Sequence, residues 1–297
     1  MIPYLFAKYN IAFMTSPAHG KPKACVIGWP VAHSRSPLIH RFWLERLEIE
    51  GFYELAAVAP ADFPAFVQDL AGQGFAGANV TLPQKQKAFE LCDVTTPTAA
   101  CLQAVNTLWM EAGKLCGDNT DAAGFLGSLD QDAPGWDINS RKAVVIGAGG
   151  AARAIVYALQ LRGMKRIFLI NRTKERAAEL ASDIDASIEV VDFADLSGAL
   201  AGANLLINTT SLGMRGQPLL AIDLAPLPPD AVVSDIVYVP LETALIRAAK
   251  ARGLLAVSGV GMLLHQAVPG FERWFGMKPC VTPELRGVVE ADIAAAR

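Results

Sequence analysis

Four short stretches in the first half of the chain place polar side chains where an apolar strand gives way to a turn. GWPVAHSRSP at 28–37 carries Ser34 and Ser36 just ahead of Pro37, a residue suited to the first turn of a helix. GANVTLPQK at 77–85 carries Thr81 and Lys85 at a strand-to-helix junction. QAVNTL at 103–108 carries Asn106 at a helix–strand junction, and GDNTDAAG at 117–124 carries Asp121 at a helix start. Each stretch alone reads most simply as local structure, with Ser36 as an N-cap the plainest case. Together they gather Lys, Asp, Asn, Thr and Ser at strand ends, where open α/β sheets bind their ligands. Two hydroxyls at such an end suit a carboxylate or a polyol.

A second chemistry is written into KAVVIGAGGAAR at 142–153, followed by KRIFLINRTKER at 165–176. The order is apolar strand, glycine turn, helix, second strand, basic loop. Gly147, Gly149 and Ala152 occupy the three small positions of a dinucleotide-binding turn. The first allows the tight turn, the second lets the backbone approach a pyrophosphate, and the third lets helix and strand pack closely. The helix N-terminus offers free N–H groups to the phosphates. At the end of the second strand, 24 residues after Gly147, stand Asn171 and Arg172. An NAD-specific site places a carboxylate near that offset of about 20 residues to hold the ribose 2′-hydroxyl. A cation attracts a 2′-phosphate instead, and Arg176, one helical turn on, reinforces it. The cofactor expected is NADP.

These residues need an α/β framework to position them. In the first half, strands are expected at 24–28, 53–58, 77–81 and 104–110, with helices at about 36–50, 61–72 and 84–92. Gly113 turns the last strand back on itself, and a helix opens at 119–121. A polar stretch at 130–141 marks a boundary. The second half continues with strands at 166–170, 188–191, 204–208, 232–236 and 254–257 and a helix at 242–253. The closing segments, about 261–275 and 283–296, read as helices. Such alternation predicts parallel sheets covered on both faces.

With 297 residues, the chain has room for about two domains. Apolar residues make up 52% and charged residues 19%, which allows a substantial core, and a net charge of −3 gives no reason to expect nucleic acid or an anionic membrane as partner. No apolar run approaches the ~20 residues that span a bilayer. The first 20 or so residues lack a basic start and are expected to be a loose tail, with Met14 an equally good start site. The five cysteines, Cys25, Cys92, Cys101, Cys116 and Cys280, show no C-x-x-C spacing, and the four histidines do not pair at ligand spacing. A cytoplasmic protein without a metal is expected.

The motifs GWPVAHSRSP, GANVTLPQK, AVNT, NTDAAG, GAGGAAR, NRTKER and SDIVYVP with GVGMLLHQ follow in this order between about 24 and 276. In these the chain resembles the NADP-dependent shikimate dehydrogenase family. The resemblance implies a substrate-binding domain at 24–122, joined by C-terminal helices at about 260–297, and a Rossmann-type NADP domain at 123–259, after a tail at 1–23. It implies Lys85 and Asp121 as the catalytic pair. Ser34 and Ser36 would hold the substrate carboxylate, and Thr81, Asn106, Asp121 and Gln266 its oxygens, with Tyr238 close by. Gly147, Ala148, Gly149, Gly150 and Ala151, with Asn171, Arg172, Thr173 and Arg176, match the NADP segments. Ile236, Gly259 and Met262 fall near the nicotinamide. The implied enzyme is a monomer or homodimer acting on a small molecule.

Two positions depart from the family pattern: Gln103 stands where a glycine is usual, and Gln84 where an aromatic is common. Substrate range is therefore open to a broader quinate- or NAD-using enzyme. A non-catalytic NADP sensor is the alternative of another class, and retention of Lys85 and Asp121 speaks against it. A Ser34–His33 hydrolase is disfavoured, because adjacent strand side chains point to opposite faces and no nucleophile elbow surrounds them.

Overall fold

The computed structural model describes residues 20–138, 142–185 and 187–296. Most of the expected N-terminal tail, residues 1–19, lies outside the described residues, as do 139–141 of the polar boundary stretch.

Two six-stranded sheets organise the described residues. The first contains β1 (Lys23–Gly28), β2 (Phe52–Ala57), β3 (Gly77–Val80), β4 (Val94–Thr95), β5 (Thr107–Glu111) and β6 (Lys114–Asp118), in the order β2-β1-β3-β5-β6-β4. Strands β2, β1 and β3 run parallel, whereas β5 is antiparallel to both β3 and β6. This sheet is mixed rather than parallel, a correction to the expectation from alternation. The cause is local: Ala112 and Gly113 both have positive φ (50° and 76°), which closes a two-residue hairpin between β5 and β6. Helices α1 (Ser36–Arg46), α2 (Phe63–Gln68), α3 (Lys85–Leu91) and α4 (Pro97–Leu102) complete this half.

The second sheet contains β7 (Lys142–Ile146), β8 (Arg166–Ile170), β9 (Glu189–Val191), β10 (Leu205–Asn208), β11 (Val232–Asp235) and β12 (Leu255–Ser258). Its order is β12-β11-β10-β7-β8-β9, and every pair is parallel. That is the doubly wound order, with its switch point between β7 and β10. The strands are apolar on both sides because helices cover both. On one face lie α5 (Asp121–Asp132), α6 (Gly150–Leu161) and α7 (Lys174–Ile184). On the other lie α8 (Leu196–Leu200) and α9 (Ala244–Ala251).

Three helices follow the second sheet: α10 (Gly259–His265), α11 (Val268–Phe275) and α12 (Pro283–Ala295). They pack back on the first sheet together with α1, in a core that includes Ile39, Trp43, Val260, Leu264, Phe271, Trp274, Leu285 and Val289. Burial of Ile39 or Phe271 there contributes about 1.5–3 kcal/mol each. The stretch 261–275, expected as one helix, is two. Pro269 sits in the first turn of α11 and has no N–H to continue a ladder from α10.

His40 of α1 is fully buried in this core, stacked on Tyr53 with ring centroids 3.9 Å apart. Neither ring nitrogen has a hydrogen-bond partner among the described residues. Burial pushes the imidazole down to about 3, with the nearby Asn79 amide working in the opposite direction without reversing it. The ring is therefore neutral in the fold, whereas the unfolded chain takes up a proton near 6.5. Stability from this residue is fully present above pH 6.5 and falls as the pH drops towards 3. The slope is about 1.4 kcal/mol per pH unit. Urea unfolding at pH 6.5 and 5.0 should show a loss of about 2 kcal/mol that shrinks in His40→Phe. An equal loss in the two proteins would exclude His40 as its source.

Candidate active site

Topology brings the polar turns of the first half to one edge. β1 and β3 are parallel neighbours, so the turns after Gly28 and Val80 share an edge. Because β5 runs the other way, Thr107 at its start pairs with Asn79 at the end of β3 and with Asp118 at the end of β6. Thr81, Lys85, Asn106 and Asp121 therefore converge, although they are far apart in sequence.

At this edge the Lys85 ammonium donates to Asp121 Oδ2 at 2.5 Å, and the Asn106 amide donates to Oδ1 at 2.8 Å. Both carboxylate oxygens are engaged. Asp121 opens α5, where the helix dipole favours a negative charge, and its N–H is capped by the Asn119 side chain at 3.1 Å. Lys85, in contrast, opens α3, the end of a helix that disfavours a cation. Departures of this kind from local preference are ones that proteins retain at functional or strained sites. The Lys85 side chain is 25% exposed and that of Asp121 is 14% exposed. An ammonium has three N–H donors, so those not used by Asp121 are open to a ligand.

Asn106 is nearly saturated by the protein. Its Oδ1 accepts from the Thr107 hydroxyl at 2.9 Å and from the Thr120 N–H at 2.9 Å. The Thr120 hydroxyl reaches the Gln266 carbonyl at 2.8 Å. Asn79 links to the same cluster, accepting from the Tyr53 hydroxyl at 2.5 Å and donating to the Asn106 carbonyl at 3.1 Å. The sequence marks Asn119 and Thr120 only as N-cap residues of the helix that opens at Asp121, and it does not single out Asn79 or Thr107. Their signal is polarity at positions that strand or turn patterning leaves buried, and all four are at most 5% exposed.

Ser34 and Ser36 lie together, Oγ to Oγ 3.3 Å, where the loop after β1 enters α1 at Ser36. Ser36 is not the N-cap: Arg35 is, and the Ser34 hydroxyl accepts from the Ser36 N–H at 3.3 Å. Thr81 abuts this loop's origin, since a Cβ on Gly28 would lie 2.4 Å from Thr81 Cγ2. Tyr238 is half-buried, with the Arg35 guanidinium 5.9 Å from its ring centre. Gln266 caps the C-terminal end of α10, and its side-chain amide bends back to the Leu263 carbonyl at 3.0 Å. The Ser36 hydroxyl also neighbours that of Tyr53, which leads from the serines to Asn79 and the Asn106 cluster.

Both departures from the family pattern have a physical reading. Gln103 caps α4 with φ 50°, in the left-handed region that glycine enters without strain. The departure touches backbone conformation at that corner. Gln84 is buried, and its amide donates to the Val58 carbonyl at 2.8 Å, tying the start of α3 to the loop after β2.

The second sheet presents the other half of the site. Its strands are all parallel, so the residues after β7, β8, β10, β11 and β12 share one edge. Gly147 has φ 115°, and a Cβ there would lie 2.4 Å from Thr209 Oγ1, so only glycine fits. Gly149 and Gly150 face open space at the start of α6, which no side chain caps. With Ala148 and Ala151 beside them and Ala152 fully buried, this cradle leaves room and free N–H groups for a pyrophosphate. The Gly147 N–H donates to the Ile170 carbonyl at 2.8 Å, which sets Asn171 beside the turn. The Asn171 amide holds the Thr173 carbonyl at 2.8 Å and shapes the entry to α7. Arg172, Thr173 and Arg176 are exposed. Neither arginine forms an ion pair among the described residues. The residues present fit a phosphorylated dinucleotide.

Ile236 and Met262 pack against the same core cluster as Ala148. A Cβ on Gly259 would fall 2.1 Å from the Ile236 carbonyl oxygen, so that approach also requires glycine. Asp235 fixes this corner: it accepts from Asn208 at 2.9 Å, the Val237 N–H at 3.0 Å and Thr243 at 2.7 Å. Burial raises its carboxyl above the usual range, with those three donors opposing the shift.

Helix α10 connects the two edges. It starts at Gly259 beside Ile236 and ends one residue before Gln266 beside Thr120, a span of about 10 Å at 1.5 Å per residue. Along this span it lies against α5 in antiparallel fashion through small residues. A Cβ on Gly124 would lie 2.6 Å from Gln266 Cβ, and one on Gly261 would lie 2.1 Å from Ser128 Oγ.

Comparison with known proteins accords with this arrangement. Residues 26–108 match a model described as the shikimate dehydrogenase substrate binding domain. Residues 129–225 match shikimate / quinate 5-dehydrogenase, and 259–281 match the shikimate 5′-dehydrogenase C-terminal domain. A shikimate dehydrogenase (NADP(+)) of Methylocella silvestris is 60% identical over 275 residues, covering 93% of this chain and 98% of that protein. The Thermus thermophilus shikimate 5-dehydrogenase solved with NADP(H) and shikimate superposes with TM-score 0.78 at 35% identity, covering 93% of this chain and all of that one. The Corynebacterium glutamicum quinate dehydrogenase solved with NAD superposes with TM-score 0.83 at 30% identity, covering 91% and 99%.

Proposed function

The chain belongs to the shikimate dehydrogenase family, and from that premise we propose how its residues divide the work. It catalyses the reversible NADPH-dependent reduction of 3-dehydroshikimate to shikimate, a step of aromatic biosynthesis. Residues 24–122 with 260–297 form the substrate-binding unit, and 123–259 form the NADP unit.

When bound, NADPH supplies the hydride. The protein must then deliver a proton to the oxygen that becomes an alkoxide. Lys85 does this as general acid in reduction and takes the proton back as general base in oxidation. Its ammonium also stabilises the developing negative charge before transfer. Asp121 fixes the ammonium through a charge-assisted hydrogen bond, and Asn106 fixes Asp121. Ser34 and Ser36 hold the carboxylate, while Thr81, Asn106, Asp121 and Gln266 meet the ring oxygens beside Tyr238. Gly147 to Ala151 hold the pyrophosphate, and Asn171, Arg172, Thr173 and Arg176 hold the 2′-phosphate. Ile236, Gly259 and Met262 line the nicotinamide. The observation that carries this reading is Asp121 held through both oxygens, one by Lys85 and one by Asn106.

No helix among the described residues is long and apolar enough to cross a membrane, and all five cysteines are free, as suits a reducing compartment. We infer a cytoplasmic enzyme with a small-molecule substrate, active as a monomer or homodimer.

Initial rates with shikimate and quinate, each crossed with NADP and NAD, test the assignment. Fast turnover confined to shikimate with NADP is expected. Quinate carries an extra hydroxyl on the carbon that bears the carboxylate, so its use depends on room around Ser34 and Ser36. Comparable rates with quinate or NAD would make the protein a broader quinate/shikimate enzyme. Cofactor binding with no turnover would favour a sensor.

A further inference from the structure

Arg35 stands between the two serines, and its side chain is only 12% exposed. Its Nε lies 3.0 Å from Asp292 Oδ2 near the end of α12, in a charge pair bent too far for a hydrogen bond. The same guanidinium lies 5.9 Å from the Tyr238 ring centre, within cation–π range. A second arginine reaches the same helix end from the other half of the molecule. The Arg215 guanidinium donates to the Ala296 carbonyl at 2.6 Å, and its backbone N–H donates to the Val239 carbonyl at 2.9 Å. These contacts close a ring: Ser34–Ser36 loop, Arg35, end of α12, Arg215, Val239, Tyr238, and back to Arg35.

We propose that Arg35 is a positioning residue for substrate binding. Paired with Asp292 and laid over Tyr238, it locks the carboxylate-binding loop of one half onto the Tyr238 segment of the other. This rests on the reading that Ser34 and Ser36 hold the carboxylate. The physical basis is that the loop is anchored at the buried Val31, whose carbonyl accepts from the Ser34 N–H at 2.9 Å, whereas the Ser34 and Ser36 hydroxyls beyond it are small and fill little space around themselves. A part-buried cation with an anion on one side and an aromatic face on the other confines them to one arrangement. Removing the cation lets the two hydroxyls and Tyr238 move independently. Ordering the loop then opposes substrate binding, while the Lys85–Asp121 pair, held by other elements, keeps its geometry.

Steady-state kinetics of Arg35→Met, Asp292→Asn and the double variant test this, with Ser34→Ala alongside. Arg35→Met should raise the shikimate KM about tenfold while kcat and the NADP KM stay within about twofold, in the range of coupled neighbouring charges. Asp292 is half exposed, so its asparagine variant is expected to fold, and it should shift the same parameter in the same direction. The double variant should be no worse than Arg35→Met. Arg35→Lys, which keeps the charge, should restore part of the loss. An unchanged shikimate KM in Arg35→Met, equal rises in both KM values, or strict additivity in the double variant would overturn the proposal. If Ser34→Ala raises the shikimate KM and Arg35→Met does not, the positioning role fails alone. If neither does, the carboxylate assignment fails with it.

Discussion

Replacing Lys85 with methionine is expected to lower kcat by about 10²–10⁴-fold and to leave the shikimate KM within a few-fold. Methionine keeps most of the apolar stem and removes the ammonium. Two functions go together: the proton delivered to the reduced oxygen, and the positive charge facing the alkoxide as it forms. Both act more strongly in the transition state than in the bound ground state, so the loss falls on turnover rather than affinity. Asp121 loses one of its two side-chain partners, but the Asn106 donor at 2.8 Å remains, as does the cap on its N–H from Asn119. The variant should therefore fold and still bind NADPH, which fluorescence titration would establish before any rate is read. Turnover close to that of the unmodified protein would exclude Lys85 as the proton donor.

Reversing the charge at Arg172 should shift the preference for NADP over NAD by at least about tenfold. The Gly147–Ile170 hydrogen bond holds the end of β8 against the glycine turn and so sets the loop at 171–173 beside it, the corner at which dinucleotide-binding folds of this order read the ribose. Arg172 and Arg176 are exposed there and have no carboxylate competing for them among the described residues. A charged hydrogen bond to a phosphate contributes about 1.5–3 kcal/mol, which is roughly 10–100-fold in affinity. Arg172→Asp removes such a contact and adds repulsion. The NADP KM should rise at least about 30-fold while the NAD KM changes by less than about threefold. Raising the ionic strength should narrow the gap, because the arginines face solvent. Equal effects on the two cofactors would show that this loop does not read the phosphate.

How much of this site could be read from the chain depended on where each residue sits. Thr81 announces itself by following an apolar run directly, Lys85 by opening a helix behind the Pro83–Gln84 turn, and Asp121 by opening a helix behind the polar turn Asp118–Thr120. The glycine turn is equally plain, since Gly147 fills a position that a Cβ would obstruct. Asn79 and Thr107 are hidden for the opposite reason: they lie inside strands, and period-2 patterning treats them as filler. The two-residue strand β4 is too short for any period to register. The left-handed backbone at Gln103 is invisible because glutamine carries no preference for it. The mixed direction of the first sheet rests on one hairpin at Ala112–Gly113, where only Gly113 advertised a turn. Pairing across long separations is beyond patterning altogether, as with Arg35 and Asp292.

The glycine-lined contact between α5 and α10 has a consequence for how such an enzyme can change. Loops at either edge can vary in length and composition, because each is anchored to its own sheet. The helix between them cannot. One residue inserted into α10 would advance its end by about 1.5 Å and swing Gln266 by roughly 100°. Substituting Gly124 or Gly261 would drive a wedge between the helices without touching either ligand. New substrate preferences are therefore open to this scaffold through the loops, whereas the phase of α10 is an inheritance it must keep.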